Sequence, residues 1–125
     1  MQKKEINKKT LVVGGSGNRE RFSNKAIRKL LDHGHQVESI GLQESKVASV
    51  NIVTNKPEMN DIHTVTMYIR PSIQDEYYKY LIGLKPVRII FNPGTENREF
   101  ESIASENGIE VIRNCTLVML DYGLF

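Results

Sequence analysis

The sequence predicts an α/β fold, a doubly wound and mainly parallel sheet in a three-layer α/β/α sandwich. Three observations carry this reading. Short continuous apolar runs, such as Thr10-Leu11-Val12-Val13 and Val87 to Phe91, suit strands buried on both faces. Between such runs the apolar spacing becomes helical. A glycine-rich stretch, Gly14-Gly15-Ser16-Gly17, lies directly between the first run and the first helical stretch.

The elements follow in order. Thr10 to Val13 is the first strand, and Ala26, Ile27, Leu30 and Leu31 then share one helical stripe. Ser23 is the expected N-cap of that helix, Phe22 is placed to staple onto Ile27, and Gly34 is the stop. Val37 to Ile40 reads as the second strand. Residues 41–50 give no helix, and Val50 to Val53 reads as a short edge strand. His63 to Ile69 is rich in β-branched and aromatic residues and forms the next strand. Pro71 ends it, and Ser72 with Asp75 resembles a capping box. The following helix carries Ile73, Tyr77, Leu81 and Leu84 on one face, and Pro86 closes it. Val87 to Phe91 is a buried strand. A helix from about Asn97 presents Phe100, Ile103 and Ala104 and stops at Gly108. Ile109 to Ile112 is the last strand, and Cys115 to Leu120 is an apolar tail. Right-handed crossovers give the order 3-2-1-4-5-6, counting the edge strand as third. Ligands in such sheets bind beyond the carboxyl ends of the strands. That places Gly14 to Ser23, Arg70-Pro71 and Asn92 to Asn97 at the expected site.

The length of 125 residues suits one domain, read as a basic N-terminal extension over 1–8 and a folded unit over 9–125. With 39% hydrophobic and 26% charged residues, a disordered tail, a collagen-like repeat and a coiled coil are excluded. No apolar run approaches the roughly 20 residues of a membrane span. Met1 to Glu5 lacks a signal-peptide core, and the single Cys115 fits a reducing compartment, so a cytoplasmic location is expected. A net charge of +2 does not argue for nucleic acid. Nine of the 17 Lys and Arg nevertheless fall within the first 29 residues, against Glu5 and Glu20 alone. A cationic surplus beside a glycine loop suits a small molecule carrying phosphate.

The loop is not a standard dinucleotide fingerprint. Gly15-Ser16-Gly17 begins a G-x-G-x-x-G match, but Glu20 stands at its last position. The second strand also ends Ile40-Gly41-Leu42, with no carboxylate to hold ribose hydroxyls. The loop still offers close approach of main-chain N–H groups to an anion, a helix N-terminus aimed at it, and the planar donors of Arg19 and Arg21.

The string Leu11-Val12-Val13-Gly14-Gly15-Ser16-Gly17-Asn18, followed by Arg21-Phe22-Ser23, resembles the opening of the small CoA-binding proteins. These are single-domain relatives of the N-terminal domain of the succinyl-CoA synthetase α-subunit. The resemblance continues through Asp61 to Thr66, Tyr68 to Pro71, Ile90 to Asn97 and Asn114-Cys115-Thr116. It implies a Rossmann-like domain that binds coenzyme A or an acyl-CoA without chemistry of its own. The phosphate role would fall on Gly15, Ser16, Gly17, Asn18, Arg21 and Ser23. Arg70 and Pro71 would flank the pantetheine or adenine part, and Asn92, Pro93 and Gly94 would form the far wall. Many members carry Asn-Pro-Lys after the second strand, where this chain has Gly41-Leu42-Gln43-Glu44. Lys46 is the candidate replacement for that charge.

Other residues read as structural. His33, His35 and His63 lack the neighbours of a metal site. Cys115 sits beside Leu117 to Leu120 and reads as a packed thiol rather than a nucleophile. Tyr77, Tyr78 and Tyr80 fall on a helix and could line a homodimer contact. No catalytic constellation is legible, so a non-enzymatic binding protein is expected. The alternative is an NAD(P)- or nucleotide-dependent enzyme with a non-standard glycine loop. Because the loop lies outside the core, Gly17→Val and Arg21→Ala are expected to spare the fold while weakening CoA binding.

Overall fold

The computed structural model describes residues 6–125. Its strands are β1 Thr10–Val13, β2 Val37–Ile40, β3 Ser45–Val47, β4 Val50–Val53, β5 Thr64–Met67, β6 Arg88–Phe91 and β7 Glu110–Arg113. Its helices are α1 Phe22–Asp32, α2 Pro71–Gln74, α3 Tyr78–Gly83, α4 Arg98–Glu106 and α5 Thr116–Asp121, with a 3₁₀ turn over Asp75–Tyr77. The sheet order is β3-β4-β2-β1-β5-β6-β7. Only the β3–β4 pairing is antiparallel. Leaving β3 aside, this is the expected order 3-2-1-4-5-6.

The central strands are buried on both faces, and the pleat divides their side chains between two cores. Leu11 and Val13 join Tyr77, Leu81, Phe91, Phe100 and Ala104 on the α3–α4 face. Val12 joins Ile27, Leu30, Ile90, Met119 and Leu120 on the α1–α5 face. Both α1 and α4 end in a Schellman motif on a left-handed glycine. At α1, Gly34 (φ +86°) lets the His35 N–H reach the Leu30 carbonyl at 3.1 Å. At α4, Gly108 (φ +76°) lets the Ile109 N–H reach Ala104 at 3.0 Å.

Four local expectations are corrected. Helix α1 starts at Phe22 with Arg21 as its extended N-cap, so Ser23 is a buried helical residue and not the cap. The Phe22 staple does not form, since its ring is 66% exposed and lies 5.4 Å beneath Lys25 Nζ. Ser72 and Asp75 make no capping box: Pro71 occupies the first helical turn, Arg70 is the N-cap, and Arg70 Nε donates to Ser72 Oγ at 3.1 Å. Residues 45–47 pair with β4, so the edge strand is β3 and not Val50–Val53. The apolar tail is α5, which packs against α1 and is tied to it by a Lys29–Asp121 ion pair.

No helix among the described residues is long and apolar enough to cross a membrane. Asn7 and Lys8, placed in the extension by sequence, bond the main body: the Gln36 N–H donates to Asn7 Oδ1 at 2.8 Å and the Lys8 N–H to His35 Nδ1 at 3.0 Å.

Candidate functional site

The carboxyl ends of β2, β1, β5 and β6 stand in a row, and each opens into a loop singled out from the sequence. The loop after β1 is anchored first. Gly14 takes φ +97°, and the N–H groups of Gly14 and Gly15 both donate to the Ile40 carbonyl, at 2.8 and 3.0 Å. Beside it, the Gly41 N–H donates to the Val53 carbonyl at 2.9 Å.

Three glycines are fixed by what lies against them. A Cβ at Gly15 would strike Ser39 Oγ, one at Gly17 would strike Ser45 Oγ, and one at Gly41 would stand 2.5 Å from the Gly15 carbonyl oxygen. Ser39 is itself held, its Oγ donating to the Val12 carbonyl at 2.9 Å. The start of the loop is thus wedged against the β2 turn, and a larger residue at Gly15 or Gly41 disturbs it, whereas the Ser45 hydroxyl that faces Gly17 is exposed and can turn aside.

The rest of the loop is a small hydrogen-bonded turn. Asn18 N donates to Ser16 Oγ at 3.1 Å, Glu20 N to Asn18 Oδ1 at 3.0 Å, and Arg21 N to the Asn18 carbonyl at 3.0 Å. The Asn18 side chain therefore shapes the turn. Arg19 and Arg21 are exposed at the mouth, in front of the N-terminus of α1. Ser23 is buried, so its position favours a backbone contribution over an exposed hydroxyl. Lys46 lies exposed on β3, one residue from Ser45 and on the opposite face of the hairpin, paired in register with Asn51.

The far side of the row is braced internally. Asn92 is 3% exposed; its Nδ2 donates to Thr66 Oγ1 at 2.7 Å and to the Met67 carbonyl at 2.8 Å. Its Oδ1 accepts from Thr116 N at 2.9 Å, so Asn92 ties β6 to β5 and to the start of α5. Pro93 and Gly94 remain exposed, and Gly94 turns at φ +92°. Arg70 and Pro71 are exposed at the neighbouring corner.

Three residues that the sequence reading passed over help build this edge. Gln74, fully buried, donates from Nε2 to the carbonyls of Ile69 (3.0 Å) and Thr95 (2.8 Å) and accepts from Asn97 Nδ2 (3.0 Å). It clamps the Arg70–Pro71 corner to the loop after β6. Asn24, 1% exposed, donates from Nδ2 to the Ser16 carbonyl at 2.9 Å and accepts from Arg28 Nε at 2.9 Å. Tyr68 extends past β5, and its hydroxyl lies beside Thr66, Thr116 and Cys115, buried and without a hydrogen bond among the described residues. Burial, reinforced by Cys115, drives its pKa far above the usual phenol range. For Asn24 and Gln74 the signal was a polar residue where a helix turns its face inward.

The three tyrosines are engaged within the chain. Tyr77 is 8% exposed, Tyr78 Oη accepts from Asn97 Nδ2 at 2.8 Å, and Tyr80 Oη donates to the Pro57 carbonyl at 2.6 Å. Among the described residues no group of three His, Cys, Asp or Glu side chains could hold a metal ion. Two depressions, of about 660 and 540 Å³, are lined by Lys56–Asn60 with Glu76–Leu84 and by α4 with Val111 and Arg113, not by the glycine loop. The loop instead leaves Gly17, Asn18, Arg19 and Arg21 exposed to open solvent.

Comparison with known proteins agrees with this geometry. The family described as "CoA binding domain" matches residues 8–121. No curated protein matches the chain. A solved structure described only as an uncharacterized protein is 44% identical, with a TM-score of 0.94 over 97% of this chain and all of that one. A hypothetical protein from Pyrococcus horikoshii OT3 is 25% identical, with a TM-score of 0.84 over 94% of this chain and 84% of that one. A Thermus thermophilus protein, 23% identical over 94% of this chain and 90% of its own, shares the fold with a TM-score of 0.78. With a Rossmann-like sheet, a glycine loop at its carboxyl edge and a family match across nearly all of its length, the chain belongs to the CoA-binding domain family.

Proposed function

We propose that the protein binds coenzyme A, or an acyl-CoA, along the carboxyl edge of the sheet, with the phosphates on the loop Gly15 to Ser23 and no catalysis of its own. The observation that carries this is the CoA-binding family match over residues 8–121. The geometry adds to it: Gly17 and Arg21 stand exposed in front of α1, where the helix dipole favours an anion. Gly41, buried against the Gly15 carbonyl, would act by letting the loop seat closely on the β2 turn, and Lys46, on the outer face of β3, would add charge only at a distance. Arg70, Pro71, Pro93 and Gly94 would line the path of the pantetheine arm, and Asn92 would hold that wall from beneath.

The rival reading, an NAD(P)-dependent enzyme, lacks an acid at the end of β2, where Ile40 leads into Gly41 and Leu42. Glu38 lies inside β2, in register with Leu11. Thermal denaturation with CoA, acetyl-CoA, NAD⁺ and NADP⁺ separates the two. A ligand at 100 times its Kd adds about 2.7 kcal/mol, and CoA is expected to do so while NAD⁺ is not. Equal or greater stabilisation by NAD⁺ reverses the ranking. Incubation with acetyl-CoA, with and without ATP and Mg²⁺, is expected to release thiol only at the buffer rate. Faster release would make the protein an enzyme.

A further inference from the structure

The loop after β1 contains one peptide group whose direction is set by a buried side chain. Asn24 lies in the first turn of α1 and faces inward. Arg28 carries only donors, so its Nε at 2.9 Å must meet the oxygen of the Asn24 amide. That assigns the Asn24 nitrogen to the Ser16 carbonyl, also at 2.9 Å. The two bonds fix the amide at both ends, to the loop on one side and to the next turn of α1 on the other.

Holding the Ser16 carbonyl has a consequence on the other side of the same peptide. In a trans peptide the C=O and the following N–H point in opposite directions, and no cis bond occurs among the described residues. With the Ser16 oxygen drawn onto Asn24 at the base of α1, the Gly17 N–H is turned away from the helix body. Gly17 is exposed, and its N–H makes no hydrogen bond among the described residues. A donor turned outward by an interior brace costs nothing to reorient when an anion arrives.

We infer that Asn24, backed by Arg28, is a positioning residue that holds the Ser16–Gly17 peptide with its N–H directed at a phosphate oxygen of the ligand. This rests on the CoA reading given above. Asn24 itself touches no ligand; it acts through the peptide that it holds.

The test is an NMR titration of ¹⁵N-labelled wild type and Asn24→Asp with CoA, following the Gly17 amide. Asn24→Asp keeps the shape and the Arg28 contact but sets an acceptor against the Ser16 oxygen, which releases or turns the peptide. In the wild type, saturation with CoA is expected to move the Gly17 proton downfield. In Asn24→Asp the affinity is expected to fall by about tenfold, and the Gly17 proton to stay in place even at saturation. A purely structural or electrostatic role for Asn24 would lower the affinity but leave the shift at saturation unchanged, and that result overturns the proposal. Asn24→Ala, which removes the donor without adding charge, supplies the same reading if Asn24→Asp does not fold. No response of any wild-type resonance to CoA would sink the functional reading, and this inference with it. Binding with an unmoved wild-type Gly17 would sink the inference alone.

Discussion

The two ends of the sheet are finished in opposite ways. At the carboxyl ends of the strands, Arg19, Arg21 and Arg70 stand in solvent, while Asn24, Gln74 and Asn92 are buried and hydrogen-bonded beneath them. At the amino ends the cation itself is inside. Arg88 is 7% exposed; its Nε donates to Thr64 Oγ1 at 2.8 Å and its guanidinium lies 4.5 Å from the centre of the Phe125 ring. Phe125 is equally buried, lies against the His35 ring at 5.0 Å, and receives Lys8 Nζ on its carbonyl. One end is therefore an open row of donors over a neutral polar brace. The other is a closed seat in which charge is covered by the Phe125 ring. The fold can hold a cation either way, and the arginines beside the glycine loop are left uncovered where the proposed ligand carries phosphate.

Substitutions at the two ends should separate stability from binding, and the largest effect is expected at the closed end. Phe125→Ala empties a buried ring site and should cost about 3–5 kcal/mol in urea unfolding, with CoA affinity of the folded protein unchanged. A shift in affinity beyond twofold would mean that the two ends communicate. Next comes the wedge at the open end. Gly41→Ala sets a methyl group 2.5 Å from the Gly15 carbonyl oxygen and should cost about 1–3 kcal/mol, while also weakening CoA binding as the loop shifts. Retained affinity with lost stability would move the phosphate site off this loop.

Arg21→Ala isolates the ligand contact. It should leave stability within about 0.5 kcal/mol and reduce CoA affinity by about 1.5–3 kcal/mol, most strongly at low salt. An unchanged dissociation constant in calorimetry would exclude Arg21 from the site.

The smallest effect is titration at the closed end. Burial, with Arg88 and Lys8 adding to it, holds the His63 pKa below its ordinary value of 6.5. The folded protein thus binds fewer protons there than the unfolded chain. Its stabilising contribution is present above pH 6.5 and is lost as pH falls through the depressed folded value. His63→Gln should therefore show a slightly flatter decline in Tm between pH 7.5 and 5.5 than the wild type. A steeper decline would reverse the sign.

Much of this frame is legible in the sequence because it rests on local physics. The apolar runs mark the central strands, and Gly34 and Gly108 mark two helix ends that only a left-handed residue closes easily. Strand β3 is not legible: Ser45-Lys46-Val47 becomes a strand only by pairing with β4 through the backbone. Helix α5 is hidden for a different reason. Thr116 to Leu120 is mostly apolar all round, so no polar face declares the helical period. The capping pattern at Ser72 misleads because Pro71, with its fixed φ, starts the helix two residues earlier, with Arg70 as the N-cap. At the site, the glycines can be seen from sequence but their reasons cannot. Ser39 and Ser45, which leave no room for a Cβ, come from strands more than twenty residues away in the chain. Asn24 shares an inward stripe with Ile27 and Leu31, and a polar group on such a stripe is the one trace that the brace leaves in the sequence.

The seat at the amino edge also bears on how the chain can be rewired. Lys8 and Phe125, 117 positions apart, meet there, on the side of the sheet away from the glycine loop. An amide carbonyl at Phe125 accepts from Lys8 as well as any other, so a short bridge from residue 125 back to residue 8 need not lift the ring from its place. New ends opened between Gly83 and Lys85, both exposed, would also lie far from the glycine loop. A circularly permuted protein of this kind should keep the strand order β3-β4-β2-β1-β5-β6-β7 and its affinity for CoA, with β6 now leading the chain.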